Sequence, residues 1–337
     1  MKLHRPLLTL ALALTVPLNA CGSDDGAEAG GNDPVCVAHV PSPLFAPLYL
    51  AQDKGYFKEE GVEIELNPVA AGQDAVPLLS SNECDVIVAG FSAGFFSALD
   101  SGLKLKVVGS MSVTNADEGE DPPAALEVDS DLVDSGEVES PGDLEGLKIG
   151  VAGGLGGSGA YLTDLILREH GLDITDVEVS NIANSDMPAG LKSGSVDAVM
   201  TSAPYTEIIE SDGDGIPLAT VPDGTSGTGI IFSEDFADTD RADGFFRALA
   251  RAAQDLQGDA RRLKENVQPV ADAMEVDPQV ILDLPVFTWL PNLAPLPDQL
   301  EAMQRTWIDA GQLQYDEAID PAEYVDESFA ESVETTE

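Results

Sequence analysis

Val35-Cys-Val-Ala-His-Val-Pro-Ser-Pro-Leu-Phe-Ala-Pro-Leu-Tyr-Leu-Ala-Gln-Asp-Lys-Gly-Tyr-Phe-Lys-Glu-Glu-Gly-Val-Glu-Ile-Glu-Leu66 changes its hydrophobic period twice. The run Val35 to Val40 is apolar and rich in β-branched residues, which reads as a buried strand. Leu44 to Lys54 carries apolar side chains at helical spacing and stops at Gly55, a helix terminator. Val62-Glu-Ile-Glu-Leu66 alternates strictly, as a half-buried strand does. Strand, helix and strand in so short a space predict a parallel β-α-β unit, and the fold class that follows is α/β.

The same alternation continues outward. Helices are predicted over 75–81 and 93–101, and strands over 85–89 and 104–109. An acidic break follows at Val113-Thr-Asn-Ala-Asp-Glu-Gly-Glu-Asp-Pro-Pro123, and then a connecting strand over 124–128. A second series then runs through strands at 147–152, 177–182, 197–201 and 217–221, with helices at 158–170, 187–193 and 205–210. Thr228-Gly-Ile-Ile-Phe232 is apolar and is expected to run back to the first half. From Arg241 onward the chain reads as helical, with a proline-rich break at 285–297 in which Trp289 is expected to pack.

Ahead of this lies a leader: the basic residues Lys2, His4 and Arg5, an apolar run from Pro6 to Leu18, and Leu18-Asn19-Ala20-Cys21. That is the order of a secretory signal over residues 1–20, too short in its apolar part to span a bilayer. Its end resembles a bacterial lipobox, with Asn19 where that motif usually has a smaller residue, so Cys21 is the expected lipidation site. Residues 21–34 hold no large apolar side chain and are expected to form a disordered stalk. The charge of -45, from 61 acidic against 16 basic residues, repels nucleic acid and anionic lipid. The membrane attachment expected here therefore rests on the lipid rather than on electrostatics. Two further cysteines, Cys36 and Cys84, each stand at the start of an expected strand in a chain read as folding where disulfides persist. If the two strands are parallel neighbours their starts meet, and a Cys36–Cys84 disulfide is expected; two buried thiols are the alternative.

Two motifs resemble catalytic signatures. Gly154-Leu-Gly156-Gly-Ser-Gly159 follows a strand and opens a helix, the context of a dinucleotide-binding loop. The same glycines also let backbone N–H groups approach any polar solute at a helix N-terminus. Gly90-Phe-Ser92-Ala-Gly94 has the spacing of a serine-hydrolase nucleophile elbow. A triad would need a later histidine, and only His170 follows, at an expected helix end where it caps carbonyls. A solute-binding chain without catalysis is the main reading, and a hydrolase using Ser92 is the alternative. The histidines are isolated and Asp212-Gly-Asp214-Gly is too short for a calcium loop, so neither a metal nor a cofactor is expected.

Taken with Asp143-Leu-Glu-Gly-Leu-Lys-Ile-Gly-Val151, Leu191-Lys-Ser-Gly-Ser-Val-Asp-Ala-Val199 and Ala203-Pro-Tyr205, the opening stretch resembles the nitrate/sulfonate/taurine-type periplasmic solute-binding proteins of ABC importers. Binders of thiamine-pyrimidine precursors belong to the same group. The resemblance implies a two-lobed periplasmic-binding-protein-like fold of type II, lobe 1 from 34–124 and 229–337 and lobe 2 from 125–228. It implies a monomer that holds solute between the lobes and passes it to permease subunits, here at the outer face of the cell membrane. In open parallel sheets ligands bind beyond the strand carboxyl ends. The expected ligand-binding residues are therefore Ser42, Phe45, Phe91, Ser92, Gly154, Ser158, Tyr161, Pro204 and Tyr205, with 225–228 near the return crossing. Serines would hydrogen-bond, glycine backbone would cradle, and aromatics would form walls. No basic residue falls in these loops, so a neutral or aromatic solute is ranked slightly ahead of nitrate or a sulfonate.

Overall fold

The computed structural model describes residues 33–115 and 123–334. The expected signal segment, Cys21 and most of the stalk lie outside the described residues.

Among the described residues ten strands form two five-stranded sheets. The first has the order β2-β1-β3-β10-β4, from β1 (Val35–His39), β2 (Ile64–Pro68), β3 (Val86–Gly90), β4 (Leu105–Ser110) and β10 (Thr228–Ser233). The second has the order β7-β6-β8-β5-β9, from β5 (Ala124–Asp129), β6 (Lys148–Val151), β7 (Glu178–Asn181), β8 (Ala198–Ser202) and β9 (Gly215–Thr220). Each sheet is parallel except for one strand delivered from the other half. β10 returns from the second series and pairs antiparallel with β3 and β4; β5 leaves the first series and pairs antiparallel with β8 and β9. The chain thus crosses between the sheets twice.

Among the described residues eight helices have eight or more residues: α1 (Ala46–Asp53), α2 (Gly72–Ser80), α3 (Ala93–Asp100), α4 (Ser158–Glu169), α5 (Tyr205–Asp212), α6 (Asp240–Asp255), α7 (Lys264–Met274) and α8 (Pro297–Asp309). Alternation along β1 explains the layering. Val35 and Val37 face a cluster containing Leu48 of α1 and Phe245, Phe246 and Leu249 of α6, while Ala38 faces Ile87, Phe95, Phe96 and Trp307. Each fully buried Phe or Leu is worth ~2–3 kcal/mol of removed apolar surface. In the second sheet Leu126, Ile149 and Met200 pack against Ile166 and Leu167 of α4. Val199 packs on the opposite face with Ile209 of α5. Among the described residues no helix is long and apolar enough to cross a membrane.

β1 and β3 are parallel neighbours with Val37 opposite Val86, and the Asp85 N–H donates to the Cys36 carbonyl at 3.0 Å. That register brings the strand starts together, and Cys36 and Cys84 are joined as a disulfide. The helix expected over 44–54 is in fact a 3₁₀ turn, Pro43–Phe45, followed by α1. Pro43 and Pro47 cannot donate in a helical ladder, so each stands in the first turn of its own segment. Gly55, in the left-handed region at φ 74°, ends α1 and opens a further short helix, Tyr56–Glu59, that the sequence pattern does not reveal.

Candidate ligand-binding site

Helix N-termini and the strand ends that precede them gather free backbone N–H groups at one edge of an α/β sheet. In the first sheet that edge carries two capping serines. Ser42 Oγ accepts from the Leu44 N–H at 3.3 Å, and Ser92 Oγ accepts from the Phe95 N–H at 3.2 Å at the start of α3. Ser92 is buried and Ser42 half-buried. In the second sheet the corresponding loop is Ala152–Gly157, after β6. Gly153 and Gly154 take positive φ (80° and 61°), and the Gly153 N–H donates to Asn181 Oδ1 at 3.1 Å. A Cβ on Gly157 would lie 2.2 Å from the Ala152 carbonyl oxygen, so this tight turn admits only glycine there.

The two edges meet. Ser92 and Gly157 form an antiparallel bridge between the loops of opposite sheets. A Cβ on Gly90 would stand 2.9 Å from Ser158 Oγ, and one on Gly156 would stand 3.7 Å from Ala93 Cβ. The Phe91 N–H donates to the carbonyl of Gly227, on the returning crossing, at 2.9 Å. The two motifs that suggest catalysis are therefore each other's counterpart across the gap between the sheets.

The aromatic residues divide. Phe91 lies against Gly229, where a Cβ would come within 2.3 Å of its ring. Tyr161 reaches from α4 into the same cluster as Phe91, Phe95 and Phe96 and is 2% exposed. Burial, with Asp164 nearby, pushes its hydroxyl up to about 12. Phe45 is buried in the cluster that also contains Ala203. Pro204 follows Ala203 through a cis peptide, and Tyr205, opening α5, is half-buried. The structure thus brings Phe91, Ser92, Gly154, Ser158 and Tyr161 together, while Phe45 and Ala203 belong to another, larger core cluster. Phe45, Phe91 and Tyr161 are buried rather than exposed as walls.

Two neighbours of these loops, Asn181 and Gln73, were missed by the sequence reading, and a third, Gly227, lies in a segment that it named. Asn181 ends β7, Gln73 opens α2 with Oε1 3.5 Å from the position of a Gly153 Cβ, and Gly227 precedes β10. Asn181 and Gln73 follow the strand-end and helix-start rule already applied elsewhere, and Gly227 lies inside the 225–228 crossing.

His39 ends β1, and its Nδ1 lies 3.1 Å from Tyr49 Oη; burial holds its pKa below the usual histidine value. His170 ends α4 at an exposed position. Among the described residues neither histidine hydrogen-bonds Ser92, whose hydroxyl serves as a helix cap. No cluster of His, Cys, Asp and Glu among the described residues has metal-holding geometry.

Residues 42–261 match the family described as NMT1/THI5 like. The chain belongs to the NMT1/THI5-like family. This bears out the resemblance read from Val40 to Leu66 and the later segments. Over 196 residues, 55% of this chain and 53% of the relative, it is 28% identical to YtlA of Bacillus subtilis (strain 168), which is named for binding. Over 115 residues, 34% of the chain and 30% of the relative, it is 35% identical to the 4-amino-5-hydroxymethyl-2-methylpyrimidine phosphate synthase of Aspergillus parasiticus. The matches span about half or less of the length of these curated relatives. Among solved structures, the alkanesulfonate-binding protein SsuA from Xanthomonas axonopodis pv. citri superposes with a TM-score of 0.66 at 18% identity, covering 87% of this chain and 98% of SsuA. The NMT1/THI5-like chain therefore has the periplasmic-binding-protein fold: two mixed sheets flanked by helices.

Proposed function

We propose that this NMT1/THI5-like chain is an extracytoplasmic solute-binding protein, a monomer without turnover that serves an ABC importer. Lobe 1 would comprise 34–124 and 229–337, and lobe 2 125–228. The observation that carries the reading is the bridge between Ser92 and Gly157, which closes loops from two different sheets over one another. A solute held between such loops is released when the halves part, which suits capture and delivery better than chemistry.

The ligand contacts would come from Ser42, Ser158, Tyr205 and the backbone of Gly154 to Gly157, with Ser92, Phe45, Phe91, Tyr161 and Pro204 beneath them. None of these side chains is basic, so an oxyanion would lack an arginine fork and would depend on N–H groups alone. Hydroxyls, backbone donors and the half-buried Tyr205 suit a neutral, flat heterocycle of the pyrimidine kind. The relative named for pyrimidine phosphate synthesis supports that solute class. Thermal-shift screening against pyrimidines, sulfonates and nitrate tests it, because a ligand at 100 times Kd stabilises by ~2.7 kcal/mol. A pyrimidine should raise Tm most. A shift with none of the panel, together with an unchanged radius of gyration, would sink the reading.

The expected lipid on Cys21 would hold the protein near its permease, where tethering raises effective concentration. A stalk over 21–34 would give it reach. The Cys21→Ser variant should leave the membrane fraction as a folded, ligand-binding protein. Retention of that variant on membranes would show the anchor to lie elsewhere.

A further inference from the structure

The middle strand of the second sheet carries a carboxyl group on a covered face. Glu127 stands opposite Val199 of β8 and Pro217 of β9, on the side that α5 packs against, and is 0% exposed. Neither of its carboxyl oxygens has a hydrogen-bond partner within the protein. The same holds for Thr201 Oγ1, two residues beyond Val199 and so on the same face. A carboxylate in such a place is costly when ionised and tolerated when neutral.

The charged groups around that face offer no counter-charge. α5 brings Glu207 and Glu210, both of the same sign. Lys192, the single cation of the short helix Met187–Lys192, is engaged by Asp214 at 2.9 Å and Asp212 at 3.8 Å. β8 and β9 carry no charged residue. Burial first, and then Glu210 and Glu207, push the Glu127 carboxyl up to about 8 from 4.5. The cover over it is thin. To the cluster of Met187, Leu191, Val196 and Val199, α5 contributes Ile209, whereas α4 holds the opposite face with Ala160, Ile166 and Leu167. α5 is therefore the cheaper cover to lift when the group must reach water.

We infer that Glu127 is a positioning residue, which ties the seating of α5, and through it the placing of Tyr205 at the cleft, to the protonation of one buried carboxyl group. The part that concerns Tyr205 rests on the solute-binding reading above. With α5 lifted the carboxyl titrates near 4.5, and with α5 seated near 8. Below both values the group is neutral either way and the seat is at full strength. Between them only the lifted arrangement ionises, so each pH unit makes lifting about tenfold easier. Above both values the seat weakens no further.

Amide hydrogen exchange of the full chain, expressed as protection factors between pH 5.5 and 7.5, tests this. Protection over 205–212 should fall about a hundredfold across those two units, and protection over 158–169 far less. Glu127→Gln and Glu127→Leu should each hold protection over 205–212 level, the leucine variant serving where an unpaired amide disturbs the fold. Level protection in the parent, an equal fall in both segments, or the parental fall in a folded variant would overturn the inference. The probe 4-amino-5-hydroxymethyl-2-methylpyrimidine, its binding checked by calorimetry, should slow exchange over 205–212. A bound probe that leaves this exchange unchanged would overturn the link from α5 to the cleft. A probe that does not bind counts against the solute reading alone, and the pH slopes then decide on Glu127.

Discussion

Glu127 shows how far a single side chain can depart from its sequence context. In Ala124-Ala-Leu-Glu-Val128 it reads as the solvent-facing position of an alternating strand, yet it is 0% exposed, because β5 has α4 on one face and α5 on the other. Neither carboxyl oxygen has a hydrogen-bond partner. Burial first, and then Glu210 and Glu207 of α5, push its pKa up to about 8 from 4.5. The folded state therefore keeps Glu127 protonated at pH 7 while the unfolded chain ionises it. Stability from this group is full below about pH 4.5 and is lost as pH rises toward about 8, a cost on the order of 3 kcal/mol at pH 7. Denaturation of Glu127→Gln between pH 5 and 8 should show a smaller loss of stability with rising pH than the parent chain. Equal slopes would mean that Glu127 ionises freely in the native state. Ser92 departs less: its place between strand and helix was legible, but its role as a cap was not, since a nucleophile elbow and a capped helix share that spacing.

At the scale of elements, strands were the most legible, because period-2 alternation and β-branched runs report burial on a pleated surface directly. Even the return of Thr228 to Phe232 was readable as an apolar run with no helical spacing, though its seat between β3 and β4 came only with the structure. The short helix Tyr56–Glu59 and the 3₁₀ turn Pro43–Phe45 were not, because four or three residues carry too little periodicity to distinguish them from loop. The glycine loops lie between these cases. Their need for glycine was visible, but their mutual contact across two sheets is long-range and leaves no local pattern. Gly90 tests that contact. An added Cβ would press on Ser158 Oγ at 2.9 Å from the facing loop and make ordinary contact with the Gly227 carbonyl oxygen at 3.6 Å, whereas one on Gly157 would strike backbone. Gly90→Ala should accordingly fold with nearly parental stability and bind solute at least about tenfold more weakly, because it holds the loops of the two sheets apart. Parental affinity in Gly90→Ala, read by calorimetry, would show that closure does not bring these loops together.

At the scale of the whole molecule, α8 is the element that joins what the two crossings leave separate. It packs into the first half through Leu300, Met303 and Trp307, in the cluster of Phe95 and Phe96. At its start Gln299 accepts from the Ser226 N–H at 2.8 Å and donates to the Gly224 carbonyl at 2.7 Å, gripping the returning crossing. At its far end Thr306 Oγ1 donates to Asp164 Oδ2 at 2.6 Å, and Asp309 accepts from Arg168 at 2.9 Å, both partners lying on α4 of the second half. Asp164 is 1% exposed and also accepts from Arg168 Nε and the Ile174 N–H, so its part of the joint is buried and fully paired, while the Arg168–Asp309 pair lies at the surface. If the halves part to admit solute, they must either swing about this joint or break it. Thr306→Val preserves shape and removes one charge-assisted bond, at a cost of ~1–3 kcal/mol. Because α4 also starts at Ser158, which lies against Gly90 and Gly227 of the facing loops, that cost falls on the arrangement in which α4 is seated. Small-angle scattering of ligand-free Thr306→Val should show a larger radius of gyration than the parent, and saturating solute should restore the parental value. A variant that loses stability but keeps the parental radius in both states would make α8 a structural strut and place the pivot in the crossings alone.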